Sequence, residues 1–80
     1  LFKLGLHKQA LECFTNATIY DPQNKSAWNN RGVCLRIDGR FEEAIKCYDE
    51  AIKVKADYEW ALHNKGLALA ALGKHEEAIE

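Results

Sequence analysis

The sequence lacks a strong charge of either sign and a long hydrophobic run. Its 80 residues carry 11 basic and 12 acidic side chains, which gives a formal net charge of −1. Proteins that bind nucleic acid usually present a basic stripe, so this balance argues against a nucleic-acid partner. No apolar run approaches the roughly 18 residues that a membrane-spanning helix needs. We therefore expect no membrane span and no membrane partner.

Cysteine is scarce, and its spacing is not that of a paired framework. The sequence holds three cysteines, an odd number, and no two of them are spaced as C-x-x-C. This pattern favours free thiols in a reducing compartment over a set of disulfides or a zinc site. No secretory signal peptide is visible at the start of the sequence. We expect a cytoplasmic protein.

The residue combinations that carry catalysis are also missing. The sequence shows no Ser/His/Asp or Cys/His arrangement, no phosphate-binding loop and no redox pair. No two histidines are spaced i, i+4 with a third ligand nearby. The acidic pairs Glu42-Glu43 and Glu76-Glu77 are adjacent in sequence, so the members of each pair point in different directions from a helix start, where they complement its dipole. We predict no enzymatic activity, no cofactor and no metal.

What the sequence does contain is an internal repeat. Several residue types recur at a constant offset of 34 in residue number: Gly32 at Gly66, Gly39 at Gly73, Ala44 at Ala78, Cys13 at Cys47, and Ala17 at Ala51. A fixed period of about 20–50 residues is typical of proteins built from stacked structural repeats.

Within this period the residues resemble the tetratricopeptide repeat, a helix–turn–helix unit with the pattern W-x2-L-G-x2-Y, A-x3-F, A and P. Matching residues are Trp28, Gly32, Leu35, Ala44, Tyr48 and Ala51, with Ala10, Phe14, Ala17 and Pro22 before them and Leu62, Gly66, Leu69 and Ala78 after them. The sequence departs from the pattern at Arg31 and Lys65, which replace leucine, at Leu62, which replaces tryptophan, and at Ala56, where a second proline is expected. The resemblance implies an all-α fold of tandem antiparallel helix hairpins stacked as a right-handed α-solenoid.

The period divides residues 1–80 into a single segment with one complete repeat at 25–58 and partial repeats at 1–24 and 59–80. One repeat cannot bury its apolar face alone, and arrays usually finish with a polar capping helix. No such cap is visible in the sequence. We expect either a segment of a longer array or a chain that stacks end to end as a homo-oligomer.

Glycine and proline mark the predicted helix ends. Leu1 to Leu4 read as the last turn of a helix that Gly5 ends, and Asp21-Pro22, Asp38-Gly39 and Gly73 mark the other ends. The candidate N-caps are Asn24 or Ser26 for one helix and Asp57 for a later one. Inside helices, glycine costs about 1 kcal/mol relative to alanine. A close contact between helices would offset this cost, so we predict such contacts at Gly32 and Gly66.

The resemblance also implies a function. In this family the first helix of each repeat lines a concave groove that holds a peptide or a partner's helix. The matching positions are Ser26, Asn29, Asn30, Val33, Arg36 and Ile37 in the complete repeat, and Trp60, His63, Asn64, Leu67, Ala70 and Ala71 in the next. Asn30 and Asn64 are one period apart, so we expect their amides to stack and to grip a peptide backbone, as the asparagine ladder of some members does. Tryptophan is enriched at binding hot spots, which makes Trp60 a candidate anchor.

Other interpretations stay open at this point. The asparagines could instead hold the helix hairpins together, and Trp60 could pack against a neighbouring repeat. A clamp for a C-terminal carboxylate, known in the family, is disfavoured because Ser26, Val33 and Leu67 stand where polar or basic groups are needed. The alternative function is structural, namely self-association through the open repeat ends.

Overall fold

The computed structural model of the protein describes the backbone of residues 4–79 and the side chains of residues 7–74. Over that range the regular elements are four α-helices: α1 Leu4–Tyr20, α2 Lys25–Ile37, α3 Phe41–Val54 and α4 Glu59–Ile79. Consecutive helices pack against each other, and α2 also contacts α4. The predicted all-α fold of stacked helix hairpins is confirmed.

Helix α2 begins where an asparagine caps it. The Asn24 side-chain oxygen accepts a hydrogen bond from the Ala27 N–H at 3.1 Å, so Asn24, and not Ser26, satisfies one of the unpaired amides of the first turn. The preceding helix α1 ends directly before Asp21-Pro22, as predicted, because proline disfavours helical geometry in the residue before it.

A glycine in left-handed geometry ends α2. Gly39 has a φ of 82°, which costs little without a Cβ. The chain then turns so that the N–H groups of Gly39 and Arg40 donate to the carbonyls of Arg36 and Leu35 at 3.0 and 2.9 Å. These bonds satisfy carbonyls that the end of a helix leaves unpaired. The predicted turn at Asp38-Gly39 is confirmed.

Helix α3 opens with a charged first turn. Arg40 donates from Nε and Nη2 to the two carboxylate oxygens of Glu43, at 2.9 and 2.7 Å. This hydrogen-bonded pairing lowers the pKa of Glu43 and raises that of Arg40. Glu42 and Glu43 lie in the first turn and Lys53 in the last, so the charges complement the helix dipole.

The core lies where the small residues of α3 meet α2 and α4. Its buried members are Leu35, Ala44, Cys47, Tyr48, Ala51, Ala61 and Ala68. Four of the seven are alanines, and short side chains allow helix axes to approach closely. Tyr48 is the one large side chain in this cluster that is 0% exposed.

Gly32 makes room for Tyr48. A Cβ built on Gly32 would lie 2.5 Å from Cε1 and 2.8 Å from Cδ1 of the Tyr48 ring. The predicted close contact at Gly32 is therefore confirmed. The same prediction for Gly66 is wrong, since no described atom lies within 4 Å of a Cβ built there. The face of α4 that carries Gly66 is exposed.

Two of the predicted helix ends are wrong as well. Gly5 lies inside α1 and Gly73 inside α4; the predicted helix turn before Gly5 lies mostly in residues 1–3, outside the described range. Extending a helix fixes one residue at a time, whereas a new helix needs a costly nucleus. Helix α4 therefore continues through its glycine, although glycine costs about 1 kcal/mol there relative to alanine.

Asp57 is not the cap of α4. This helix begins at Glu59, and the Leu62 N–H donates to the Tyr58 carbonyl at 3.1 Å. Tyr58 therefore occupies the cap position, one period after the cap Asn24. The period, more than the residue type, locates the start of the helix.

Candidate functional site

The surface predicted as a groove is built on α2 and α4, and one side-chain hydrogen bond joins these helices. Asn64 Nδ2 donates to Asn29 Oδ1 at 3.0 Å. Asn29 is 7% exposed, and Asn64 is half-buried. The bond takes up one donor of Asn64, so its second N–H and its carbonyl oxygen remain for other contacts.

The partner of Asn64 is Asn29, which lies one position off the repeat period, and Asn30 is exposed. The stacking of Asn30 on Asn64 stays a prediction. Packed helices cross at an angle, so residues that touch across the helix pair need not occupy equal positions in the repeat. The interpretation that an asparagine helps to hold the hairpins together describes Asn29, while Asn30 is free of that contact.

Twelve positions were predicted to line the groove. When Ser26 and Ala70 are set aside, ten remain, and five of these are exposed: Asn30, Ile37, Trp60, His63 and Leu67. The exposed fraction is 69% for Trp60, 51% for Ile37 and 42% for Leu67. Ser26 and Ala70 are exposed too. Large apolar side chains at this exposure on two contacting helices are available to another molecule.

The other predicted residues are engaged in the fold. Val33 packs against the core cluster, and Ala71 is half-buried. Burial raises the pKa of Tyr48, and the Arg36 guanidinium near its hydroxyl partly opposes that rise. Arg36 is itself half-buried.

Trp60 lies beside residues that the sequence analysis missed. It lines an open cavity of about 310 Å³ together with Lys25, Lys55, Asp57, Tyr58 and Glu59. Lys25 Nζ lies 5.7 Å from the centre of the Tyr58 ring, a cation–π distance. One sequence signal could have pointed to these neighbours of Trp60. Tyr58 lies one period after the cap Asn24, and its aromatic side chain does not cap a helix as asparagine does.

A second cavity, a cleft of about 790 Å³ between α2 and α3, is lined by none of the predicted groove residues. Its lining mixes apolar and charged side chains: Trp28, Leu35, Cys47 and Ile52 with Arg31, Glu43, Lys46, Asp49, Glu50 and Lys53. Burial raises the pKa of the Cys47 thiol and also that of Cys34. Both thiols are therefore protonated and weakly nucleophilic at neutral pH.

The described part of the chain offers neither a cluster of metal ligands nor a helix that could span a membrane. Among the side chains of residues 7–74, no three histidine, cysteine, aspartate or glutamate groups lie where they could hold a metal ion together. None of the helices, over the described range, combines the length and the apolar character that crossing a membrane requires.

Helix hairpins that recur with a constant period and pack through small side chains define a helical-repeat scaffold. Two family models described as Tetratricopeptide repeat match residues 26–58 and 61–80, about two thirds of the chain. Comparison with curated proteins gives no match. The chain belongs to the tetratricopeptide repeat family. Repeats of this family form a non-enzymatic scaffold and generally mediate protein–protein interaction.

Proposed function

We propose that this protein binds a peptide or a helix of a protein partner through the exposed residues of α2 and α4. We call these residues, Asn30, Ile37, Trp60, His63 and Leu67, the groove face. The observation that carries the proposal is the exposure of Trp60, Ile37 and Leu67 on two helices that a hydrogen bond holds together. Hairpin packing leaves these side chains in water, where a partner's apolar residues would cover them.

The groove face suits a partner with apolar side chains and an accessible peptide backbone. Trp60 supplies the largest apolar surface, and Asn64 has a free donor and acceptor beside it on the same helix. A hydrogen bond contributes about 0.5–1.5 kcal/mol net, and association costs several kcal/mol before any gain appears. We expect dissociation constants between about 10 μM and 1 mM.

The test is selection of binding peptides from a random display library on the immobilised chain, followed by titration of the enriched peptides. Trp60→Ala should weaken their binding at least about tenfold if the indole is the anchor. The matched control is Tyr20→Ala, which removes an aromatic side chain that is 88% exposed on α1. This control should bind as the parent does. Equal binding by parent and Trp60→Ala, or no enriched peptide, would contradict the proposal.

A second function, self-association through the repeat ends, is favoured by a separate observation. Leu62 and Leu69, which are not part of the groove face, are 46% and 50% exposed on α4. Two solvent-exposed leucines beside Gly66 support a second contact surface, separate from the groove face.

The division into repeats and the cellular location also stand as proposals. The complete repeat at 25–58 and the partial repeat at 59–80 are supported by the family matches at residues 26–58 and 61–80. The partial repeat at 1–24 is supported only by the residues that recur 34 positions later, such as Cys13 at Cys47 and Ala17 at Ala51. A reducing compartment such as the cytoplasm is supported by three free cysteines, of which Cys13 is exposed.

A further inference from the structure

The groove side of α2 and α4 holds no acidic side chain. None of the twelve positions predicted to line the groove is aspartate or glutamate, although the chain carries 12 acidic residues. Arg36 is the one arginine or lysine among those positions. The surface that the proposed function assigns to a partner therefore has a positive charge and no negative charge to balance it.

Elsewhere in the fold, basic side chains have acidic partners. Three of them lie 2.7–3.0 Å from a carboxylate oxygen: Arg40 with Glu43, Lys53 with Glu50, and Lys65 with Asp49. Asp38, which is close to Arg36 in sequence, lies 3.9 Å from Arg40 instead. Among the described side chains, no carboxylate forms an ion pair with Arg36. Arg36 therefore has room for a carboxylate that this part of the chain does not supply.

The fold holds the Arg36 side chain in place. Its Nε is buried and has no hydrogen-bond partner among the described residues. Its guanidinium lies near the hydroxyl of Tyr48, a residue that is 0% exposed. A guanidinium is planar and presents its N–H donors in a fixed fork that matches a carboxylate. Because this fork is already ordered, pairing with a carboxylate costs little further side-chain entropy.

A second basic side chain lies at the same end of the groove. The bond between Asn29 and Asn64 aligns α2 with α4, which run in the same direction because α3 connects them as an antiparallel helix. Arg36 and Ala71 each lie seven residues, or about two turns, beyond these asparagines. Lys74 is exposed and follows Ala71 by three residues, so it lies on the same stripe of α4. We call Arg36 and Lys74 the basic end of the groove.

The other end of the groove is electrically balanced. The open cavity beside Trp60 is lined by two lysines and two acids, Lys25, Lys55, Asp57 and Glu59. Trp60 is 69% exposed there. The two ends therefore differ in chemistry. One offers an indole among balanced charges, and the basic end offers two cations that have no ion pair among the described side chains.

We propose that the groove binds an extended acidic peptide, in which a side-chain carboxylate pairs with Arg36 beside Lys74 and an apolar side chain packs on Trp60. This inference rests on the proposed function and names the chemistry of its partner. The free N–H and carbonyl oxygen of Asn64 select an extended segment, because a helix has already used its own backbone groups in internal hydrogen bonds.

The helix sets the spacing between the two contacts. Ala71, which is level with Arg36, follows Trp60 by eleven residues, or about 16 Å at about 1.5 Å per residue. An extended peptide advances about 3.3 Å per residue. The acidic residue should therefore lie about five positions from the apolar residue that packs on Trp60.

The peptides enriched in the display selection test this pattern. They should carry aspartate or glutamate about five positions from a large apolar residue. Each is synthesised with a free and with an amidated C-terminus, and both forms should bind equally, because the carboxylate that binds is a side chain. Replacing that acid by its amide, glutamine or asparagine, should weaken binding about tenfold, as expected for the loss of a charge-assisted hydrogen bond.

The matching change in the protein is Arg36→Gln. It should weaken binding of the acidic peptide about tenfold and leave binding of the amide peptide unchanged, because the two changes remove the same pair. Lys74→Gln, a change at an exposed position, should weaken the acidic peptide by a smaller factor. The matched control is Arg40→Gln, which removes an arginine outside the groove that pairs with Glu43. This control should bind both peptides as the parent does.

Several results would overturn this inference alone, while the effect of Trp60→Ala still judges the proposed function. They are enriched peptides without an acid at that spacing, peptides that need a free C-terminal carboxylate, and an acidic peptide indifferent to Arg36→Gln. Equal weakening of the acidic and the amide peptide by Arg36→Gln would also overturn it, because a structural effect near Tyr48 acts on both peptides alike. A selection that enriches no peptide would overturn the proposed function together with the inference that rests on it.

Discussion

The close contact between Gly32 and Tyr48 predicts opposite effects for one substitution made at two equivalent positions. Gly32 and Gly66 lie one period apart, and both are inside helices. We expect Gly32→Ala to destabilise the fold and Gly66→Ala to stabilise it. The backbone change is the same at both positions, so the difference between them reports the contact alone.

The expected change in the free energy of unfolding combines a gain in helix propensity with a cost of overpacking. Replacing a helical glycine by alanine gains about 1 kcal/mol in propensity. At Gly32 the new Cβ would lie 2.5, 2.8 and 3.0 Å from three carbons of the Tyr48 ring. Tyr48 is 0% exposed, so its ring has no free space to move into, and overpacking of this kind costs about 1–3 kcal/mol, occasionally more. We expect a net loss of up to about 2 kcal/mol at Gly32 and a gain of up to about 1 kcal/mol at Gly66.

The assay is urea unfolding followed by the helical signal in circular dichroism. The free energies of unfolding of the parent and the two variants are compared, with the slope against urea used to check that unfolding stays two-state. Stabilisation by both substitutions would refute the close packing of Tyr48 on Gly32. Destabilisation by both would show that Gly66 is covered in the single chain.

Three further predictions use the same unfolding measurement. Ala44→Leu should lower stability by about 1–3 kcal/mol, because Ala44 is 0% exposed between packed helices; an unchanged midpoint would contradict this. Asn24→Ala should cost about 1 kcal/mol through the lost cap, and Asn24→Ser should recover most of it. Glu43→Gln removes the exposed pairing with Arg40 and should cost less than about 1 kcal/mol at neutral pH. Because the pKa of Glu43 is lowered in the folded state, this contribution is present above its unfolded pKa and disappears as the pH falls through the folded pKa. A difference between parent and Glu43→Gln that stays constant as the pH is lowered until all carboxylates are protonated would contradict that assignment.

The repeat period predicts the middle of the fold well. It locates the Asp38-Gly39 turn, the buried Ala44 and the close contact at Gly32, because each of these depends on residues one repeat unit or less away. Local chemistry adds the cap Asn24. Each of these features forms within one helix or between helices that follow each other in the sequence.

The period fails at two glycines that it predicts to end helices. Gly5 and Gly73 match the turn glycine Gly39 in sequence, yet both lie inside helices. Glycine permits a helix end but does not impose one, because tertiary context routinely overrides a residue's propensity. Equal sequence positions therefore do not ensure equal conformations.

The sequence predicts which helices and which helix faces carry the candidate site. It predicts the individual side-chain contacts less well. The first helices of the hairpins, α2 and α4, do contact each other, and Trp60 is exposed as the anchor hypothesis requires. Which asparagine pairs with Asn64 depends on how the two helices cross, and that angle is not encoded in the repeat spacing. The neighbours of Trp60, Lys25 and Tyr58, come from the two ends of the 25–58 repeat, which only the fold brings together.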